Sequence, residues 1–134
     1  MKDLLKVLSF VLICSVVTVA CEKDDDDNKP VKLTSIAYSP NKTEVKVAAA
    51  FTSVKLKLTP SNSKASYTIK SITKDTKSFT DSKKQIKIVT SDGKLSAAKS
   101  NTLVAGVYKI TVEAVDKGDK KNKKTTTYTL TIKK

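Results

Sequence analysis

From residue 29 onward the chain alternates apolar and polar residues with a period of two, the spacing of a strand with one buried face. Residues 31–38 read as a strand that ends at the turn Ser39-Pro40-Asn41. Residues 44–47 read as a second, and residues 48–51 carry too little periodicity to assign. Residues 54–58 alternate strictly before Pro60. Val54, Leu56 and Leu58 are expected toward the core, and Lys55 and Lys57 toward water. Residues 67–72 continue the pattern, and residues 73–84 read as a connection with Phe79 as one anchoring ring. Residues 85–89 and 94–97 flank a turn at Ser91-Asp92-Gly93, where Gly93 is free to take positive φ. The strongest strand is residues 107–115, with Tyr108, Ile110, Val112 and Ala114 on one face. A nine-residue loop, 116–124, leads to a last strand with Tyr128, Leu130 and Ile132 inward.

Seven or eight short strands without helical crossovers predict an all-β fold with mainly antiparallel pairing. A single antiparallel β-sandwich buries one face of each strand and suits this alternation. A small closed barrel is the alternative. About 106 residues follow position 28, room for one domain of immunoglobulin size.

The first 20 residues follow a different pattern. Lys2 and Lys6 precede an uncharged, mostly apolar run over residues 7–20. Fourteen residues are too few for a span of about 20, and they fit the apolar core of a signal peptide. Cys14 lies inside that run, so Cys21 would be unpaired in the exported chain. Five acids follow among the next six residues, Glu22 and Asp24 to Asp27, with Lys23 between them. Their mutual repulsion predicts an extended tether over residues 21–28.

Charge and missing chemistry narrow the function. All 26 basic residues are lysine, and from Lys29 onward 23 lysines face seven acids. Such a charge attracts polyanions, screened beyond about 8 Å in physiological salt. Nucleic-acid readers rely on arginine forks and stacking rings, so nucleic acid is not an expected partner. The chain has no histidine, phosphate loop, zinc spacing or nucleophile elbow, and its acids are scattered. No enzyme, metal or cofactor is expected, and a monomer is. The one concentrated surface feature is the basic loop with Lys117, Lys120, Lys121, Lys123 and Lys124, the candidate site for an acidic glycan or protein ligand.

Thr18-Val19-Ala20-Cys21 resembles the lipobox of bacterial lipoproteins, with Thr18 in the usual leucine position and Val19 bulkier than usual. The resemblance implies a signal peptide over residues 1–20 and a diacylglyceryl thioether and fatty acid on Cys21. Cys21 followed by Glu22, Lys23, Asp24 and Asp25 is similar to the export signal of Bacteroidetes-type lipoproteins. That implies a lipid anchor in the outer membrane with the domain exposed on the cell surface. The alternative reading of the acids is a spacer, on a structural or accessory envelope lipoprotein facing the periplasm.

Residues 92–95, 103–116 and 127–132 resemble the last strands of a cadherin-like or immunoglobulin-like domain. The resemblance implies a sandwich serving as a binding or adhesion module. It also places Asp116 at the family's Ala-x-Asp position, where cadherins bind calcium. Calcium needs six to eight oxygen ligands, and a loop crowded with lysines argues against it.

Overall fold

The computed structural model describes residues 31–134. The leader, Cys21 and the acidic tether lie outside the described residues. Ten strands follow in chain order: β1 Ser35–Ala37, β2 Lys42–Lys46, β3 Phe51–Thr52, β4 Lys57–Thr59 and β5 Ala65–Lys74 come first. Then come β6 Lys77–Ser78, β7 Lys87–Ile88, β8 Leu95–Ala97, β9 Gly106–Asp116 and β10 Lys123–Lys133. No helix occurs among the described residues. One layer is a five-stranded sheet in the order β2-β10-β9-β5-β6. The facing layer is built from two pieces, β3-β8-β7 and β1-β4. Leu56 joins them by donating its amide to the Asp92 carbonyl at 3.1 Å. The all-β sandwich expected from the alternation is present.

The long hairpin β9-β10 is the backbone of the sandwich, with the two strands paired antiparallel from Lys123↔Val115 to Ile132↔Gly106. Period-two burial along it is strict. Tyr108, Ile110, Val112 and Ala114 on β9, and Tyr128, Leu130 and Ile132 on β10, are buried. Each fully buried aliphatic side chain contributes about 1.5–3 kcal/mol. Two aromatic pairs pack edge to face: Tyr38 with Tyr128 at 5.0 Å, across the layers, and Phe79 with Tyr108 at 5.2 Å. Such pairs add about 0.5–1.5 kcal/mol beyond area burial. Phe79 is thus the anchoring ring of its connection, which is shortened because β5 runs on to Lys74 and pairs with β6.

Several strand expectations are corrected. Val54 is exposed and Ser53 takes the buried position. The reason is that residues 53–56 form no ladder. Ser53 N–H bonds the Leu95 carbonyl at 2.8 Å, and Ser53 Oγ accepts from Leu95 N–H at 2.9 Å. That pair of bonds turns Ser53 inward and Val54 outward, and alternation resumes only at Leu56. On β5 the register shifts between Ile69 and Ser71. This bulge re-phases the strand, so Ile69 and Ile72 both pack on the core although they are three positions apart.

Pairing is not wholly antiparallel either. After β1 the chain turns at residues 39–41 and crosses to the other layer. There β2 runs parallel to β10, from Lys42↔Thr129 to Lys46↔Lys133. The two strands are far apart in sequence, so the long connection a parallel pair needs is supplied by the rest of the domain. The exposed edge at β2 carries Lys42 and Lys46, and lysines on an edge strand discourage pairing with another chain.

Candidate functional site

The β9-β10 turn holds the candidate lysines. It is shorter than the sequence suggests, six residues (117–122), because β9 includes Asp116 and β10 begins at Lys123. Asp116 continues the inward alternation of β9, so its carboxylate points into the sandwich and is only 3 % exposed. A buried carboxylate needs partners, and this one has several. Its Oδ2 accepts from the Leu33 amide at 2.8 Å and from Asn122 Nδ2 at 3.1 Å. Its Oδ1 accepts from the Gly118 amide at 2.9 Å. Asn122 Nδ2 also donates to the Leu33 carbonyl at 2.8 Å. Both main-chain groups of Leu33 are thereby clasped by the turn. The Leu33 amide, then that of Gly118, holds the Asp116 carboxyl below the usual aspartate range.

The residues present do not suit calcium at Asp116. Both carboxylate oxygens already accept N–H groups, and the neighbours that reach them are donors, not oxygen ligands. Among the described residues there is no cluster of three His, Cys, Asp or Glu that would hold a metal.

The turn itself is rigidly bonded. Asp119 Oδ1 accepts from Lys121 N–H at 3.0 Å, and the Asp119 carbonyl accepts from Asn122 N–H at 2.8 Å. These local side-chain bonds fix aspartate turns without help from the core. Lys117, Lys120 and Lys121 project from this frame, exposed. Lys123 is exposed too, but its Nζ lies 3.8 Å from Glu113 Oε1, whose other oxygen is 3.3 Å from Lys70 Nζ. Lys124 is half-buried on β10 opposite Ala114. The five candidate lysines therefore divide into three at the tip and two along the strand.

Two further lysines belong with the tip. The Lys117 amide donates to the Lys64 carbonyl at 2.9 Å, and Lys32 precedes the clasped Leu33. Nothing in the spacing of the sequence joins residues 32, 64 and 117, because the apposition is made by tertiary hydrogen bonds.

The tyrosines are not a sugar-stacking surface. Tyr38, Tyr67, Tyr108 and Tyr128 are all buried, as the inward register of Tyr108 and Tyr128 predicts. An open apolar groove of about 500 Å³ lies between β5 and β7, lined by Ile69, Ile72, Ile86 and Ile88 with Asp81, Lys84 and Lys87 at its rim.

Residues 16–134 match the family model described as the cadherin-like beta sandwich domain. The solved structure of titin domain M7 is similar at 22% identity, covering 79% of this chain and 100% of that one, with a TM-score of 0.42. No curated protein matches the chain. With the clasped hairpin and two-layer core described, and the family model matching most of its length, the chain belongs to the cadherin-like beta-sandwich domains, which are commonly binding or adhesion modules and generally non-catalytic.

Proposed function

We propose that this protein is a non-catalytic, lipid-anchored lipoprotein that displays its sandwich on the cell surface as a binding or adhesion module. The observation that carries the reading is the order of its parts. An apolar leader ends at an unpaired Cys21, an acidic run follows, and then comes a cadherin-like sandwich. The covalent lipid on Cys21 is the one non-protein group in this reading. More than one acyl chain there exceeds the threshold at which a single chain anchors only marginally. The tip lysines are a concentrated charged surface among the described residues, and the ligand class they suit is anionic. A monomer suffices for this reading.

Cys21→Ala tests the anchor: the protein leaves the membrane fraction and takes up no labelled fatty acid. Continued labelling of the variant discards the site. Added protease tests the display. Intact cells should lose the sandwich to it, whereas protection until the envelope is broken means a domain facing the periplasm.

A further inference from the structure

The lysine tip and the point where the chain enters the sandwich are the same end of the molecule. Leu33 is bonded through both main-chain groups to Asp116 and Asn122, and Lys64 through its carbonyl to Lys117. Lys32, Lys64, Lys117, Lys120, Lys121 and Lys123 thus gather there, all exposed. Against them stand Asp116, which is buried, Asp119, whose Oδ1 already accepts from Lys121 N–H, and Glu113, whose Oε1 lies 3.8 Å from Lys123 Nζ. The opposite end, at Gly106 and Lys133, lies a full strand length away, about 35 Å for eleven residues.

We propose that this lysine end is a docking surface for anionic lipid head groups, which turns the sandwich so that its far end faces outward. The proposal rests on the anchor at Cys21. Eleven residues separate Cys21 from Leu33. Extended, they reach about 40 Å at most, enough for either end of the sandwich to touch the surface. Tether length therefore leaves the orientation open, and charge decides it. The field of a lysine cluster fades within about 8 Å in physiological salt, so these side chains act only when this end is in contact. Lysine ammonium groups serve as point charges toward phosphates and need no arginine fork. A lipid chain combined with a basic patch is a two-signal attachment. In this arrangement the anionic partner of the hairpin is the membrane, and the far end with both sheet faces is left for any other ligand.

The test uses the chain from residue 21 with Cys21→Ser, so that no lipid contributes. It is sedimented with vesicles of phosphatidylcholine alone, or of about three-quarters phosphatidylcholine and one-quarter phosphatidylglycerol, near 0.1 M salt. Binding is expected only to the anionic vesicles. Changing Lys32, Lys64, Lys117, Lys120 and Lys121 to serine should weaken it more than about tenfold. Changing Lys46, Lys83, Lys84, Lys99 and Lys134 to serine removes the same charge from the far end and should leave most binding intact. A smaller variant, Lys117, Lys120 and Lys121 alone to serine, keeps the Leu33 region native and should show an intermediate loss. Equal loss from both five-lysine variants means net charge alone acts, and overturns the proposal. So does binding that appears only after Asp24 to Asp27 are changed to serine, because the chain's own acids then occupy the lysines. So does no binding at all. None of these outcomes depends on whether Cys21 is acylated in cells.

Discussion

Leu33 donates its amide to Asp116 Oδ2 at 2.8 Å, a bond between residues 83 apart in sequence, and Asn122 closes the clasp by donating to the Leu33 carbonyl. The main chain of the incoming segment is thereby fixed to the last hairpin through polar groups that water scarcely reaches. Asn122→Ala leaves the Leu33 carbonyl without this donor and removes one of the donors to Asp116. The loss of a buried partner predicts a cost of about 1–3 kcal/mol. Urea unfolding of the two proteins should show the lower midpoint at unchanged slope. An unchanged midpoint means water replaces the amide freely and the clasp does not hold the segment.

Acid should loosen the same clasp. Asp116 sits below its ordinary pKa, chiefly through the Leu33 and Gly118 amides, and Asp75 does so through Lys74 and the Val107 amide. A folded pKa below the unfolded one means the unfolded chain binds more protons. The stabilisation is then complete above the unfolded value, about 3.9, and is lost as pH falls through the folded value. Stability measured by urea unfolding should fall as pH drops below about 4. Asp116→Asn should be less stable at neutral pH and should flatten that fall. A slope identical to the parent assigns the acid sensitivity to the other carboxylates.

How much of this was legible beforehand follows from where each residue gets its instructions. β9 and β10 were readable because eleven residues of alternation outweigh any local accident, and the turn at Gly93 because its chemistry is local. Ser53 was not readable, because a serine becomes a core residue only when a strand 42 positions away offers it an amide. The parallel register of β2 on β10 was equally hidden, since Lys42–Lys46 alternates identically whichever way its partner runs. At the candidate site the lysines of the loop were plain and their division was not. Asp116 carries a signal of its own burial in the sequence. It stands two residues beyond Ala114, in step with the inward face, so a buried and bonded carboxylate was implied by register. The Cys21 reading lies outside the described residues and rests on sequence alone.

Gly93 should tolerate no side chain. Its φ is +70°, and a Cβ placed there would stand 2.8 Å from Leu56 Cβ and 3.3 Å from Tyr67 Cδ1. The first contact is to an atom fixed by the backbone, so no rotamer change relieves it. Left-handed strain and overpacking are each worth about 1–3 kcal/mol. Gly93→Ala is expected to lower thermal stability by an amount in or above that range. A variant within about 0.5 kcal/mol of the parent, the ordinary span of neutral surface changes, means the turn can be rebuilt.

Alkali should act through the tyrosines. Tyr38 has its pKa raised far above the ordinary value, first by burial and then by Tyr128, Tyr67 and Asp92 nearby. Burial also raises Tyr67 and Tyr108. The Tyr38 hydroxyl donates to the Gly93 carbonyl at 2.5 Å, a bond its phenolate could not make. For a group raised on folding, the stabilisation is complete below the unfolded value, about 10, and is lost as pH rises through the folded value. Absorbance near 295 nm should therefore show these phenols resisting ionisation beyond about pH 10, then ionising together as the sandwich unfolds. Tyr38→Phe removes one of them and the bond to Gly93, at about 0.5–1.5 kcal/mol in stability. Smooth ionisation at the ordinary pH, with circular dichroism unchanged, would place these rings in water and contradict the core that joins the two layers.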